Sequence, residues 1–342
     1  MRILQIAACA LALALMPASM VTAAPNHIAS ATPAPRDSAD PLVAVNAALQ
    51  AGEADKALTL IGSLPQPVGA EAHNLACRVR YTLQQWDAAI HECEQAVQQD
   101  GQNSNHHLWL GRALGEKADR ASFLSAYSLA KRVRSEFEEA VKLNPRNADA
   151  LADLGEFYKD APGAVGGGVD KAEGIATQLD KADPARAHEL RGQIAAGRKD
   201  YDTAEREFKQ AIAAGPHPAM QWATLADFYR KRDRWTDLDS AINSLIAAVD
   251  RDKKSAVALF DGASVLTKAK RDPGLAAKML NSYLTSTAKT EDAPAFVAYV
   301  RLARIDAQLG NATGARKDRA AALVLAHEYK PASESGTQED SH

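Results

Sequence analysis

The chain predicts an all-α fold of repeated helix pairs, on three observations. Ala supplies 71 of the 342 residues, and Ala loses no side-chain entropy in a helix. Apolar positions recur at helical spacing almost throughout, broken by short turns carrying Gly, Pro, Asn or Asp. A pattern of small residue, small residue, aromatic, small residue and proline returns in register. Single cores stop growing near ~250–300 residues, so this length favours an array whose core extends along one axis.

Composition excludes several classes. With 40 Lys+Arg against 43 Asp+Glu, the formal charge is -3 and gives no basic footprint for nucleic acid. The 46% hydrophobic content is far from that of a disordered chain.

From the start, residues 1–24 read as a signal peptide. Arg2 carries the only early charge, Ile3 to Met16 are apolar, Pro17 breaks the run, and small residues at Ala23 and Ala24 suit cleavage. The expected product is exported, periplasmic if the source is Gram-negative and otherwise secreted. The apolar stretch is shorter than the ~20 residues of a membrane helix, and no later segment is long and apolar enough for a span. Residues 25–39 read as a flexible Pro/Ala-rich spacer, 40–330 as the repeat domain, and 331–342 as a disordered tail.

Within 185–218, Gly192, Ala204, Phe208, Ala211 and Pro216 carry the clearest unit. Small residues at 192 and 204 let two antiparallel helices approach, Phe208 fills the gap to the next pair, and Pro216 stops the second helix. The frame continues through 219–252, with Trp222, Leu225, Ala226 and Tyr229 on a first helix and Trp235, Leu238, Ile242 and Leu245 on a second. Upstream, Gly155, Tyr158, Ala172, Ala176 and Pro184 form a copy lengthened by five residues through the loop at 161–168. Gly111 leads to Phe137, Ala140 and Pro145 in a copy ten residues longer than the consensus. Ala70 to Asp100 gives another, with Cys77, Trp86, Ala89, Cys93 and Ala96 in the key places, and weaker copies occupy roughly 40–66, 253–286 and 294–326. The last runs into a segment expected to be a closing helix that reaches solvent.

These spacings are similar to those of the tetratricopeptide repeat (TPR) family, over about 285 residues and most densely from about 70 to 250. The resemblance implies an elongated right-handed α-solenoid of seven or eight antiparallel helix pairs. Its first helices would line a concave groove that binds proteins or peptides. In the family register that groove is lined by Asn74, Arg78, Tyr81, Arg112, Glu156, Lys159, Glu189, Gln193, Asp227, Arg230 and Lys231. These do not reproduce the Lys and Asn pattern with which chaperone-binding members clamp a C-terminal carboxylate. The frame also points Cys77 and Cys93 inward, and an exported protein meets oxidising surroundings, so a disulfide is expected between them; the alternative is two separate buried thiols.

Catalytic and metal-binding motifs begin in several places but are not completed. His91-Glu92, His188-Glu189 and His327-Glu328 each begin like H-E-x-x-H, but Gln95, Gly192 and Pro331 stand where the second ligand belongs. His106 and His107 are adjacent, and neighbours on a helix point about 100° apart. The loop at 163–168 begins like a phosphate loop, but Val169 and Asp170 replace the required Lys and Ser or Thr, so a linker is expected. No cofactor, metal site or catalytic residue is expected. The expected function is a non-catalytic, exported scaffold binding a protein or peptide partner. The alternative is an enzyme or enzyme-complex subunit with an unrecognised site in the solenoid.

Overall fold

Helix starts follow from short polar side chains. In the computed structural model, which describes residues 40–333, Asp40, Asn103, Asn147, Asp183, Asp200, Asp272 and Asn311 each accept a hydrogen bond from a backbone N–H in the first turn of the helix that follows. Pro41, Pro184 and Pro273 stand just inside three of those starts, where no N–H is needed. The expected signal peptide and spacer, and the expected tail beyond Ser333, lie outside the described residues.

Eight antiparallel pairs result: α1 (Pro41–Ala51) with α2 (Ala54–Gly62), α3 (Ala70–Thr82) with α4 (Trp86–Gln99), α5 (Ser104–Asp119) with α6 (Phe123–Leu143), and α7 (Ala148–Asp160) with α8 (Val169–Ala182). Then come α9 (Pro184–Gly197) with α10 (Tyr201–Ala214), α11 (Ala219–Arg230) with α12 (Trp235–Arg251), α13 (Val257–Lys268) with α14 (Pro273–Thr285), and α15 (Ala295–Gln308) with α16 (Ala312–Leu325). A short α17 (Lys330–Ser333) carries the helical part past the expected limit at 330, and its Ala332 is buried. Among the described residues there is no strand, so the fold is all-α with TPR-like pairing.

Six pairs share one turn. Gly52, Gln84, Lys199, Asp233, Lys270 and Gly310 all adopt positive φ, and the N–H of the next residue returns to a carbonyl five back, as in Gln85 to Arg80 (3.0 Å) and Asp200 to Ala195 (3.0 Å). The exceptions are the α5–α6 and α7–α8 pairs, where the sequence carries its ten- and five-residue additions. The ten residues lengthen α6 to 21 residues and leave Phe123 and Leu124 exposed at its start.

Inside three of the pairs a small first-helix residue meets a large one on the second helix. A Cβ on Gly111 would strike the Phe137 ring, one on Gly192 the Phe208 ring, and one on Gly262 the Met279 side chain. Those glycines therefore set the interhelical distance. Cys77 and Cys93 stand sixteen residues apart, as do Gly192 and Phe208, and occupy the same two places. Their Cα atoms are 5.2 Å apart and their sulfurs are joined.

The array closes on itself, which corrects the expectation of an elongated solenoid with a solvent-facing last helix. Val45, Ala48 and Leu49 of α1 share one core with Leu75 and Val79 of α3, Phe296 and Val300 of α15, and Ala326, Tyr329 and Ala332 at the end. Phe296 is fully buried and stacks edge-on against Tyr329 at 4.8 Å between centroids. Gly52 lies so close to Ala295 that a Cβ would collide with its backbone. Polar contacts continue the seam: His327 N–H donates to Asp55 (2.9 Å), Gln85 to Glu328 (2.7 Å) and Gln50 to Glu291 (2.9 Å). An open array leaves the apolar flanks of its first and last pairs in water, and here the two flanks cover each other.

Candidate functional site

First helices neighbour one another in sequence: α1 lies beside α3, α3 beside α5, α5 beside α7, α7 beside α9, α9 beside α11 and α11 beside α13. Charged groups from several of these helices lie within electrostatic range of one another. Asp292, in the connection before α15, feels Arg112 of α5, Asp149 at the start of α7 and Arg186 of α9, while Glu156 of α7 feels Lys231 after α11.

The eleven groove residues divide by what they already hold. Asn74 is buried, and its side-chain N–H2 has no hydrogen-bond partner. Arg78 grips Glu291 through Nε (2.9 Å) and a second, shorter contact, so the connection between α14 and α15 occupies this part of the surface. Tyr81 is wedged edge-on between Trp86 and Trp109, at 5.4 and 5.5 Å, and burial pushes its phenol up. Arg112 lies over Trp109 and pairs with Asp153 (2.5 Å); burial alone would lower its pKa, but that carboxylate raises it. Lys159 pairs with Asp160 (2.5 Å), and Arg230 (2.7 Å) and Lys231 (2.9 Å) share Asp227. Burial works against the charged form of Asp227, yet those two cations hold it below the usual carboxylate range.

Glu156, Glu189 and Gln193 have no cation at ion-pair distance among the described residues. Glu156 reaches solvent, but surrounding walls desolvate its carboxyl and raise its pKa, with Lys159 opposing. Glu189 is raised by burial, offset in part by Thr224, whose hydroxyl donates to it at 3.2 Å. Sequence reasoning missed Asp261 of α13, pushed up to about 6 by burial against the pull of Arg301, and Asp292, which reaches solvent but whose carboxyl is raised by desolvation from its surroundings against Arg112. Asp261 sits one place before the small residue Gly262, a position the groove projection does not include.

Other candidates are accounted for locally. His73 bonds Glu92 (2.7 Å) and His188 bonds Glu207 (2.8 Å), each nineteen residues on; His107 bonds Glu136 (2.7 Å), ten further away because of the addition in that pair. The repeat thus places one His–Glu pair between the two helices in three units. His106 lies apart, within reach of Glu71 and the Asp100 carbonyl; burial works against its charge, but those acceptors raise it. Among the described residues no group of three or more His, Cys, Asp or Glu is placed to hold a metal ion. The glycine loop at 163–168 is fastened rather than loose: the Val165 carbonyl accepts from Arg134 (3.1 Å), the Gly166 carbonyl from Lys171 (2.8 Å), and Val165 is buried. No described helix is long and apolar enough to cross a membrane.

By its helix pairs, small-residue crossings and common turns, the chain has a TPR-like helical repeat fold. No protein-family profile matches it, and no curated protein matches it. Among solved structures it is similar to a thermophilic TPR protein of Thermus thermophilus, at 20% identity and a TM-score of 0.47, over 55% of this chain and 96% of that one.

Proposed function

We propose that this chain is an exported, non-catalytic scaffold that holds a protein or peptide partner along the lumen lined by its first helices. One observation supports the reading: successive first helices neighbour one another, and α7, α9 and α11 carry the polar side chains Glu156, Glu189, Gln193 and Asp227 at the positions the repeat register assigns to the groove. Extended chains suit such a row of positions because repeated side chains meet repeated partners at regular steps. Export rests on the pattern of residues 1–24, and a joined Cys77–Cys93 pair fits an oxidising compartment.

The test is site-specific photocrosslinking in the source cells. A photoreactive residue at Gln193 should form a discrete adduct with a partner, and the same residue at Gln210, on the second helix of that pair, should not. Adducts only at Gln210, or none at Gln193, would remove the lumen from consideration. N-terminal analysis of the native protein should find Ala24 or Pro25 first.

A further inference from the structure

One connection between pairs reaches the groove residues. Residues 286–294, between α14 and α15, are the longest link between successive pairs among the described residues, and they cross to α1 and α3. There the Glu291 carboxylate accepts from Arg78 Nε (2.9 Å), from Arg78 Nη2 and from Gln50 Nε2 (2.9 Å), while the Glu291 backbone N–H donates to Gln50 Oε1 (3.2 Å). Arg78 has further supports: it donates to Asn46 (3.4 Å), and its guanidinium lies 5.4 Å from the centre of the Trp109 ring. The cation is therefore held in place by groups besides the carboxylate. The fit beside it is imperfect. Asn74, one helical turn before Arg78 on α3, is buried with no partner for its side-chain N–H2. A buried donor without an acceptor is a standing cost, which an occupant bringing an acceptor would lift.

We infer that the Glu291 side chain is a built-in occupant of the groove, and that the extended polypeptide segment the groove takes carries a Glu or Asp side chain that replaces it on Arg78. The inference rests on the groove-binding reading above and adds the charge of the ligand and the competitor it meets. Selection for acid comes from burial. The Arg78 and Glu291 side chains are 15% and 10% exposed, so a guanidinium left without a carboxylate is a desolvated bare charge. A neutral or cationic segment cannot take Glu291's place on those terms. A carboxylate can, while the Glu291 side chain turns out to water and recovers its hydration. The movement is confined to that side chain: the Tyr283 hydroxyl donates to the Ala293 carbonyl (2.6 Å) and accepts from the Thr290 N–H (3.2 Å), so the backbone of the connection stays fastened to α14. Apparent affinity is then the intrinsic affinity multiplied by the fraction of molecules in which Arg78 is free.

Fluorescence anisotropy of the purified protein with a labelled peptide copying residues 289–295, blocked at both ends, tests it. Glu291→Ala should bind the peptide at least about tenfold more tightly than the native chain, as expected if Glu291 holds Arg78 in about nine molecules of ten or more. Glu291→Gln keeps the shape and gives up the charge, and it should move the same way, so the reading does not hang on how well the Ala variant folds. Adding Arg78→Gln to either variant should remove the gain. A peptide with Gln and Asn in place of its Glu and Asp should bind none of these proteins. Equal affinity of the native chain and both Glu291 variants, or binding by none of them, would overturn the inference, as would a gain that survives Arg78→Gln or extends to the neutral peptide. If Gln193 crosslinks a partner while the Glu291 variants gain nothing, groove binding stands and the acid-selective site falls.

Discussion

Replacing Phe296 by Ala should loosen helices at the opposite end of the sequence. Phe296 is fully buried in the seam and packs on Tyr329 and the α1 core around Val45 and Leu49. Removing about 150 Å² of aromatic surface at about 25 cal/mol per Å² forfeits about 4 kcal/mol, within the ~3–5 kcal/mol measured for Phe→Ala in cores. The loss falls on seam closure, because Phe296 belongs to the seam core and to neither of the other two clusters. At about 1.4 kcal/mol per decade, even 3 kcal/mol corresponds to roughly a hundredfold faster opening. Amide hydrogen exchange read by mass spectrometry should therefore accelerate about a hundredfold in α1 and α2, some 240 positions away in the sequence, and in α15 to α17. Exchange in α7 to α10 should hold. Unchanged exchange in α1 and α2 would refute the closed seam, since in an open array a change in α15 cannot reach the first pair.

Three further outcomes follow from the same contacts. Cys77→Gly with Cys93→Phe should rebuild the Gly192–Phe208 contact and unfold at higher urea than Cys77→Ala with Cys93→Ala, though below the intact disulfide, whose closure of a sixteen-residue separation contributes about 3 kcal/mol; the reverse order of midpoints would show that the two places are not equivalent. His107 is raised by its hydrogen bond to Glu136, with burial opposing, so its charged-pair stability is complete below the free value of about 6.5 and fades as pH rises through the folded value; His107→Gln should lose less stability than the native chain between pH 5.5 and 8.5 in urea titrations. Asp261 is raised, so the native state holds its proton longer than the unfolded chain, and stability falls as pH climbs from about 4 to about 6 and stays lowered above that; Asp261→Asn should raise the urea midpoint at pH 7.5 and leave it unchanged below pH 4.

Much of the helix-pair register was legible because it depends on local chemistry. A glycine that must admit a phenylalanine ring and an asparagine that must cap a helix leave marks at fixed intervals, which is why the units from about 70 to 250 emerge from spacing. Even the ten-residue addition after Gly111 was visible, since Phe137 and Pro145 resume the pattern. Closure was not legible. It depends on the sum of small rotations between eight pairs, and no single residue encodes a sum. Phe296 and Tyr329 look like ordinary core residues of a weak last unit, and nothing near them in sequence names Val45 as the partner. The site divides the same way. Glu156 and Glu189 could be placed on the inner face by register, whereas Asp261 and Asp292 acquire their environment from helices distant in sequence. The grip of Glu291 on Arg78 likewise spans 213 residues and leaves no local trace.

Closure also changes which alterations the architecture can tolerate. An open repeat array can gain or lose a unit at either end, and its neighbours hardly notice. Here an extra pair would push α15 away from α1 and strand Phe296 in water, so the number of pairs is locked while the length of each pair is free. The two additions in this chain obey that division. Both fall at the turn inside a pair, one extending α6 and the other building the fastened loop at 161–168, so growth runs outward at the rim and leaves the circumference untouched. Relatives of this chain should accordingly differ in rim decorations before they differ in copy number.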